Sequence, residues 1–140
     1  GGTMGVVYGA GSLWQWRLHK DEPEYEAWAY AHEAGWREAL DFEGSSYVGL
    51  VGKILTGLPL ADMQPNWEVT YGRRGLLVPG QLFIVYLSEG GWTALLSEDV
   101  PSHYKVIDPR TGNVLRTGQW TKESPRIETP RGEPSVIIFS

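Results

Sequence analysis

Eight carboxylates crowd one stretch of this 140-residue chain: Asp21, Glu22, Glu24, Glu26, Glu33, Glu38, Asp41 and Glu43. Hydrolysis of a glycosidic bond needs two carboxyl groups facing each other across a cleft, one of them held protonated by its surroundings. The spacing here sets no two in opposition, and the polar stretch around them keeps them solvated. None is assigned as catalytic. The histidines, His19, His32 and His103, stand apart from one another without the short spacings that metal-ligating pairs show, so no metal site is expected. No nucleophile elbow, phosphate-binding loop or dinucleotide fingerprint occurs, and no cofactor is implied. Gly9-Ala10-Gly11 is glycine-rich but lacks the third glycine, and serves better as a tight turn at a strand end. Without cysteine there is no disulfide, thiolate ligand or cysteine nucleophile.

Aromatic residues are the more suggestive signal, with seven Trp and seven Tyr. Tyr8, Trp14 and Trp16 fall at and just beyond the C-terminal end of an expected strand, where ligands approach parallel sheets and barrels. Their ring faces could stack on the C–H face of a sugar, or they could cover a strand edge. These three are the candidate ligand-binding residues. Further along, Trp92, Tyr104 and Trp120 would form a row of exposed rings if the C-terminal part bound collagen or polysaccharide itself.

The elements that would position these residues change character near residue 72. Met4–Tyr8 and Ser12–Trp16 read as extended, Glu24–His32 as a short helix and Trp36–Leu40 as one or two turns. A clear amphipathic helix begins after Gly44. Tyr47, Leu50, Val51, Ile54, Leu55 and Leu58 recur on a 3.6-residue period. Ser45 or Ser46 is expected to cap it, and Gly57 with Pro59 to end it. Gly49 and Gly52 each weaken it by about 1 kcal/mol relative to Ala, which suggests a closely approaching neighbour. From Gly75 short β-like runs alternate with turns. Leu82–Leu87 is unbroken apolar sequence, as in a strand buried on both faces. Trp92–Leu96, Tyr104–Ile107, Val114–Thr117, Arg126–Glu128 and Ser135–Phe139 follow, with Asp108–Gly112 as a turn in which Gly112 takes the left-handed conformation. Six or seven such strands imply an antiparallel sandwich.

Net charge is −5, from 12 basic and 17 acidic side chains, and Arg73-Arg74 is the densest basic spot. That balance repels a phosphate backbone, so no nucleic-acid partner is expected. No apolar run approaches the roughly 18 residues that cross a bilayer, and no signal peptide is visible. The sequence assigns no compartment.

Val6–Trp16 (VVYGAGSLWQW), Trp36–Leu55 (WREALDFEGSSYVGLVGKIL), QLFIVYLSEGG and the IDPRTG turn of Ile107–Gly112 occur in an order that resembles the C-terminal part of apiosidase-like glycoside hydrolases. The resemblance covers about residues 5–139. It implies the end of a (β/α)8 barrel in residues 1–72, followed by a small β-sandwich in 73–140 of the kind labelled a collagen-binding domain. The expected fold class is therefore α+β: a strand and helices from a barrel end, then an antiparallel sandwich. The family's catalytic carboxylates would lie upstream, so no catalytic residue is carried over. Relatives often place a histidine near the YG motif, where this chain has Ala10-Gly11-Ser12. The implied role is non-catalytic support of a barrel, with glycan or collagen binding by the sandwich as the alternative. A barrel end lacking its neighbours would also leave the Tyr47–Leu58 stripe exposed, so the arm is expected to fold back on the sandwich or two chains to pair through it.

Overall fold

The computed structural model describes Gly9 and residues 34–140. Met4–Tyr8, Ser12–Trp16 and Glu24–His32 lie outside the described residues. Leu50–Ser140 belong to one compact unit and residues 34–49 to another. The described part is α+β with a sandwich-like arrangement of antiparallel sheets. Its helices are α1 (Trp36–Ala39) and α2 (Glu43–Leu55), and a single 3-10 turn follows at Leu60–Asp62. Eight strands come next: β1 (Gln64–Asn66), β2 (Gly75–Val78), β3 (Leu82–Leu87), β4 (Gly90–Ala94), β5 (His103–Ile107), β6 (Val114–Gln119), β7 (Arg126–Arg131) and β8 (Ser135–Phe139).

Six strands form one sheet in the order β1-β2-β3-β8-β5-β6, and β4 pairs with β7 in a second. Every pairing is antiparallel. The sheet begins at Gln64, ahead of residue 73, because the short strand around Pro65 joins the edge of β2. Proline is tolerated there, since an edge strand needs only one of its two hydrogen-bonding sides.

The apolar run Leu82–Leu87 lies inside the large sheet, and its side chains divide between two cores. Phe83, Val85 and Leu87 join Ile137, Phe139, Val106 and Leu77 on one face, where Ile127 of β7 and the connecting residues Val69, Leu95, Val100 and Trp120 close over them. Leu82 and Ile84 join Ile138, Ile107 and Val78 on the other face, against Met63 and the partly buried Ile54, Leu55 and Leu58. The period-2 alternation of a strand thus turns one continuous apolar segment into the shared wall of two layers. Only Tyr86, 49% exposed, breaks the burial of this strand.

Helix α2 differs from expectation in two respects. It starts at Glu43, so Ser45 lies within the first turn and does not cap it; its hydroxyl donates to the Phe42 carbonyl at 2.8 Å. Among the described residues, a Cβ on Gly49 or Gly52 would meet nothing within 4 Å, so no described neighbour approaches either glycine closely. The apolar stripe is buried unevenly. Ile54, Leu55 and Leu58 pack on the sheet, whereas Tyr47 and Val51 are 38% and 43% exposed. Gly57 has φ 81° just past the helix, the left-handed residue that ends it. No described helix is long and apolar enough to cross a membrane.

Candidate functional site

The turn joining β5 to β6 forms as its residue types dictate. The Asp108 carbonyl accepts from the N–H groups of Gly112 (2.8 Å) and Thr111 (3.3 Å), and Gly112 has φ 73°. The Asp108 carboxylate, almost buried, accepts from the Arg110 backbone N–H at 2.9 Å. It also accepts from Arg110 Nε and Nη2, both at 3.0 Å, and the same guanidinium reaches Glu133 Oε2 at 2.6 Å. These guanidinium bonds hold the Asp108 carboxyl below the usual aspartate range, against the opposing effect of its burial. Leu50 of α2 rests on this turn, its Cδ2 3.1 Å from where a Cβ on Gly112 would sit. The triad is a structural clasp; its carboxylates are already committed to one arginine.

A shallow cleft of about 480 Å3 opens where β5 and β6 meet the end of β8. His103, Lys105, Thr117 and Gln119 line it, with Ser140 at one end. The pairing of His103 with Gln119 and of Lys105 with Thr117 puts these four on one face of the ladder. The His103 ring contacts the Gln119 amide through Nε2, and Ser102 Oγ lies 3.3 Å from Nδ1. Tyr104 and Gly118 complete the wall of the cleft, most of its exposed lining is apolar, and no side-chain carboxylate lines it. It holds no acid–base pair for glycosidic hydrolysis. Among the described residues no cluster of His, Cys, Asp and Glu could hold a metal ion.

The third feature is the outer face of the β4–β7 sheet. Thr93 and Ile127, opposite each other in the ladder, point inward and are fully buried. Their neighbours Trp92 and Glu128, also a ladder pair, therefore face outward. The loop between β1 and β2 is tied beside β4. Asn66 Oδ1 accepts from the Glu68 and Val69 N–H groups at 2.9 and 3.0 Å, the buried Thr70 bridges to Leu95, and the Val69 carbonyl accepts from Leu96 N–H at 2.9 Å. The Thr70 hydroxyl then donates to the Arg73 carbonyl and accepts from its N–H, both at 3.0 Å. These ties set Tyr71 and Arg73 against Trp92. The Tyr71 ring meets the indole edge-on, with centroids 6.1 Å apart. The Arg126 and Arg73 guanidinium carbons lie 4.8 and 5.8 Å from the indole centroid. Arg126 also pairs with Glu128 at 3.0 Å, and Arg116 donates to the Glu128 carbonyl.

Tyr8, Trp14 and Trp16, the ligand-binding candidates of the sequence, lie outside the described residues. The expected row of Trp92, Tyr104 and Trp120 is not there. Trp120 is buried in the core, its Nε1 donating to the Pro101 carbonyl at 2.8 Å. Tyr104 packs half-buried against Phe139, with centroids 5.9 Å apart. Only Trp92 reaches the surface patch. The rings diverge because Tyr104 shares the inward face of β5 with Val106, and because Trp120, past the end of β6, turns into the space between the sheets. Tyr71, Arg73 and Arg126 escaped the sequence reading, since they come from separate segments and no short-range spacing links them to Trp92.

Comparison with known proteins places this geometry in context. Residues 1–62 match the family model described as "Apiosidase-like, catalytic domain". No curated protein matches the chain. Among solved structures, one titled "Glycoside hydrolase" is similar with a TM-score of 0.68 at 15% identity, over 95% of this chain and 32% of that one. A glycoside hydrolase family 5 protein from Bacteroides vulgatus ATCC 8482 is similar with a TM-score of 0.73 at 14% identity, over 94% of this chain and 31% of that one. The chain thus shares its fold with part of glycoside hydrolases, and it spans about a third of the length of the structures it matches.

Proposed function

We propose that this chain is the C-terminal region of a glycoside-hydrolase-like protein, in which residues 1–72 contribute the end of a (β/α)8 barrel. The β-sandwich that follows packs on that barrel and supports it without catalytic groups of its own. The observation that carries this reading is where the family match falls. A catalytic-domain model covers residues 1–62 and stops before the strands, while the fold likeness runs over 94–95% of the chain but only 31–32% of the glycoside hydrolases. The packing of α2 supports it further. One helix, lying in the family-matched segment, contributes Ile54 and Leu55 to the core under the large sheet, joined by Leu58 just past its end, as expected where a barrel helix and an appended sheet share a boundary. The test is a glycosidase assay of the chain against a panel of aryl glycosides, apiosides included. No release above the uncatalysed rate is expected, and clear turnover would overturn the proposal.

A second reading, that the sandwich is a carbohydrate- or collagen-binding module, is favoured by one observation: the exposed Tyr71 and the outward-facing Trp92 on the β4–β7 sheet. Retention of the chain on insoluble polysaccharide or on collagen would support it over a purely supporting role.

A further inference from the structure

We propose that the outer face of the β4–β7 sheet docks a carboxylate-bearing polysaccharide, with Arg73 and Arg126 receiving the carboxylates and Tyr71 receiving the sugar ring. The proposal rests on the carbohydrate-binding reading above and gives it a surface and a ligand class.

Charge is the first ground. Residues 50–140 carry nine basic and nine acidic side chains, whereas residues 1–49 carry three and eight. The negative net charge therefore belongs to the N-terminal part and leaves the β region balanced. Within that region four of the nine acids are held in ion pairs: Asp108 and Glu133 to Arg110, Glu98 to Lys122, and Glu128 to Arg126. Arg73 makes no ion pair among the described residues, and its guanidinium lies against the Trp92 indole. A guanidinium without an ion-pair partner can offer its fork of N–H donors to a carboxylate, which fills it with two parallel bonds. Arg126 lies closer over the same indole, and its pairing with the exposed Glu128 is the kind of surface contact that an incoming carboxylate can replace at little cost.

Shape is the second. Tyr71 is 64% exposed and its ring lies at 64° to the indole, so much of the phenol remains accessible beside the two arginines. A carboxylate-bearing sugar places its charge beside a rigid ring with an apolar C–H face, matching a guanidinium held next to an exposed aromatic ring. An acidic peptide carries its carboxylates with no such face attached. A nucleic-acid backbone would require a longer basic track than this patch supplies.

The test compares polymers that share a backbone. Affinity electrophoresis or titration calorimetry of the chain with carboxymethylcellulose, hydroxyethylcellulose and polyglutamate separates charge from sugar. The expected result is binding to carboxymethylcellulose at least about tenfold tighter than to the neutral polymer and to polyglutamate, weakening as salt is raised. Arg73→Gln with Arg126→Gln should reduce that binding by about tenfold or more, and Tyr71→Ala should reduce it at constant salt dependence, with unfolding midpoints monitored alongside. Equal binding to both celluloses, unaffected by the arginine changes, would overturn this inference and leave the carbohydrate-binding reading standing. Equal binding to polyglutamate, or none lost in Tyr71→Ala, would overturn the sugar component. Retention by no polymer would overturn both the inference and the reading beneath it. The comparison among polymers uses the unaltered chain, so it decides the matter even if a variant folds poorly.

Discussion

Replacing Asp108 by alanine removes the carboxylate around which the β5–β6 turn is built. Three bonds are lost: one from the Arg110 backbone N–H at 2.9 Å and two from its guanidinium at 3.0 Å. The backbone bond dominates the cost. It resembles a side chain capping an otherwise unpaired N–H, worth about 1 kcal/mol. The guanidinium side chain is 44% exposed, so its pairing is screened and adds little. A loss of about 1 kcal/mol moves the midpoint of a domain of this size by about 4 °C. Asp108→Asn keeps an oxygen for the backbone bond and loses the charge, so it should fall between wild type and alanine. The pH dependence follows from the direction of the shift. The folded-state pKa lies below that of the unfolded chain, first because Arg110 donates to the carboxylate. The charge therefore contributes stability above the unfolded value of about 3.9, and that contribution is lost as pH falls through the lower folded value. Urea unfolding between pH 3 and 8 measures it. The gap between wild type and Asp108→Asn should be constant above pH 5 and close below pH 4. An alanine variant as stable as wild type, or a gap that widens in acid, would refute the reasoning.

Two further outcomes are expected. Gly52→Ala should stabilise α2 by up to about 1 kcal/mol, because a Cβ there meets nothing and alanine has the higher helix propensity; a lower midpoint in thermal unfolding would mean that this face of the helix is covered in solution. The exposed Val51 and Tyr47 belong to the same apolar stripe as the packed Ile54, so the chain should self-associate at high concentration. Light scattering should show Val51→Glu shifting the chain toward monomer, and a wild type that is strictly monomeric would contradict the expectation.

The strands most legible in the sequence are those whose burial is complete. Apart from Tyr86 and Ser135, LFIVYL and SVIIF are apolar because both faces of the large sheet are covered there, and β3 and β8 fall at Leu82–Leu87 and Ser135–Phe139 as expected. The turn at Asp108 was legible because its chemistry is local, with a carboxylate, a proline and a glycine each in the place its backbone preference requires. Strand β1 was not, since QPN has neither β propensity nor apolar alternation and is held only by its pairing with β2. The serine cap failed because α2 starts earlier, and the Ser45 hydroxyl bonds backward to a carbonyl instead. Trp92 could be singled out by type, but its surroundings could not. Tyr71 arrives through a loop clasped by Asn66 and Thr70, and Arg126 through ladder register with β4, both of them long-range consequences of folding.

Proton chemistry and anion recognition make opposite demands on carboxyl groups. A glycosidic general acid must hold its proton near neutral pH, which takes burial away from cations or close approach to a second carboxylate. Here the perturbed carboxyls move the other way. Asp108 is pushed down by the Arg110 guanidinium, and Glu123 is pushed down by its own backbone N–H and the Thr121 hydroxyl. The arginine that clasps Asp108 also binds Glu133, so the one nearly buried carboxylate of this region keeps its charge to hold a turn under α2. What remains open for binding is cationic and aromatic: Arg73 and Arg126 on the Trp92 indole, with Tyr71 beside it. It is on this surface that the proposed anion with an apolar face would dock.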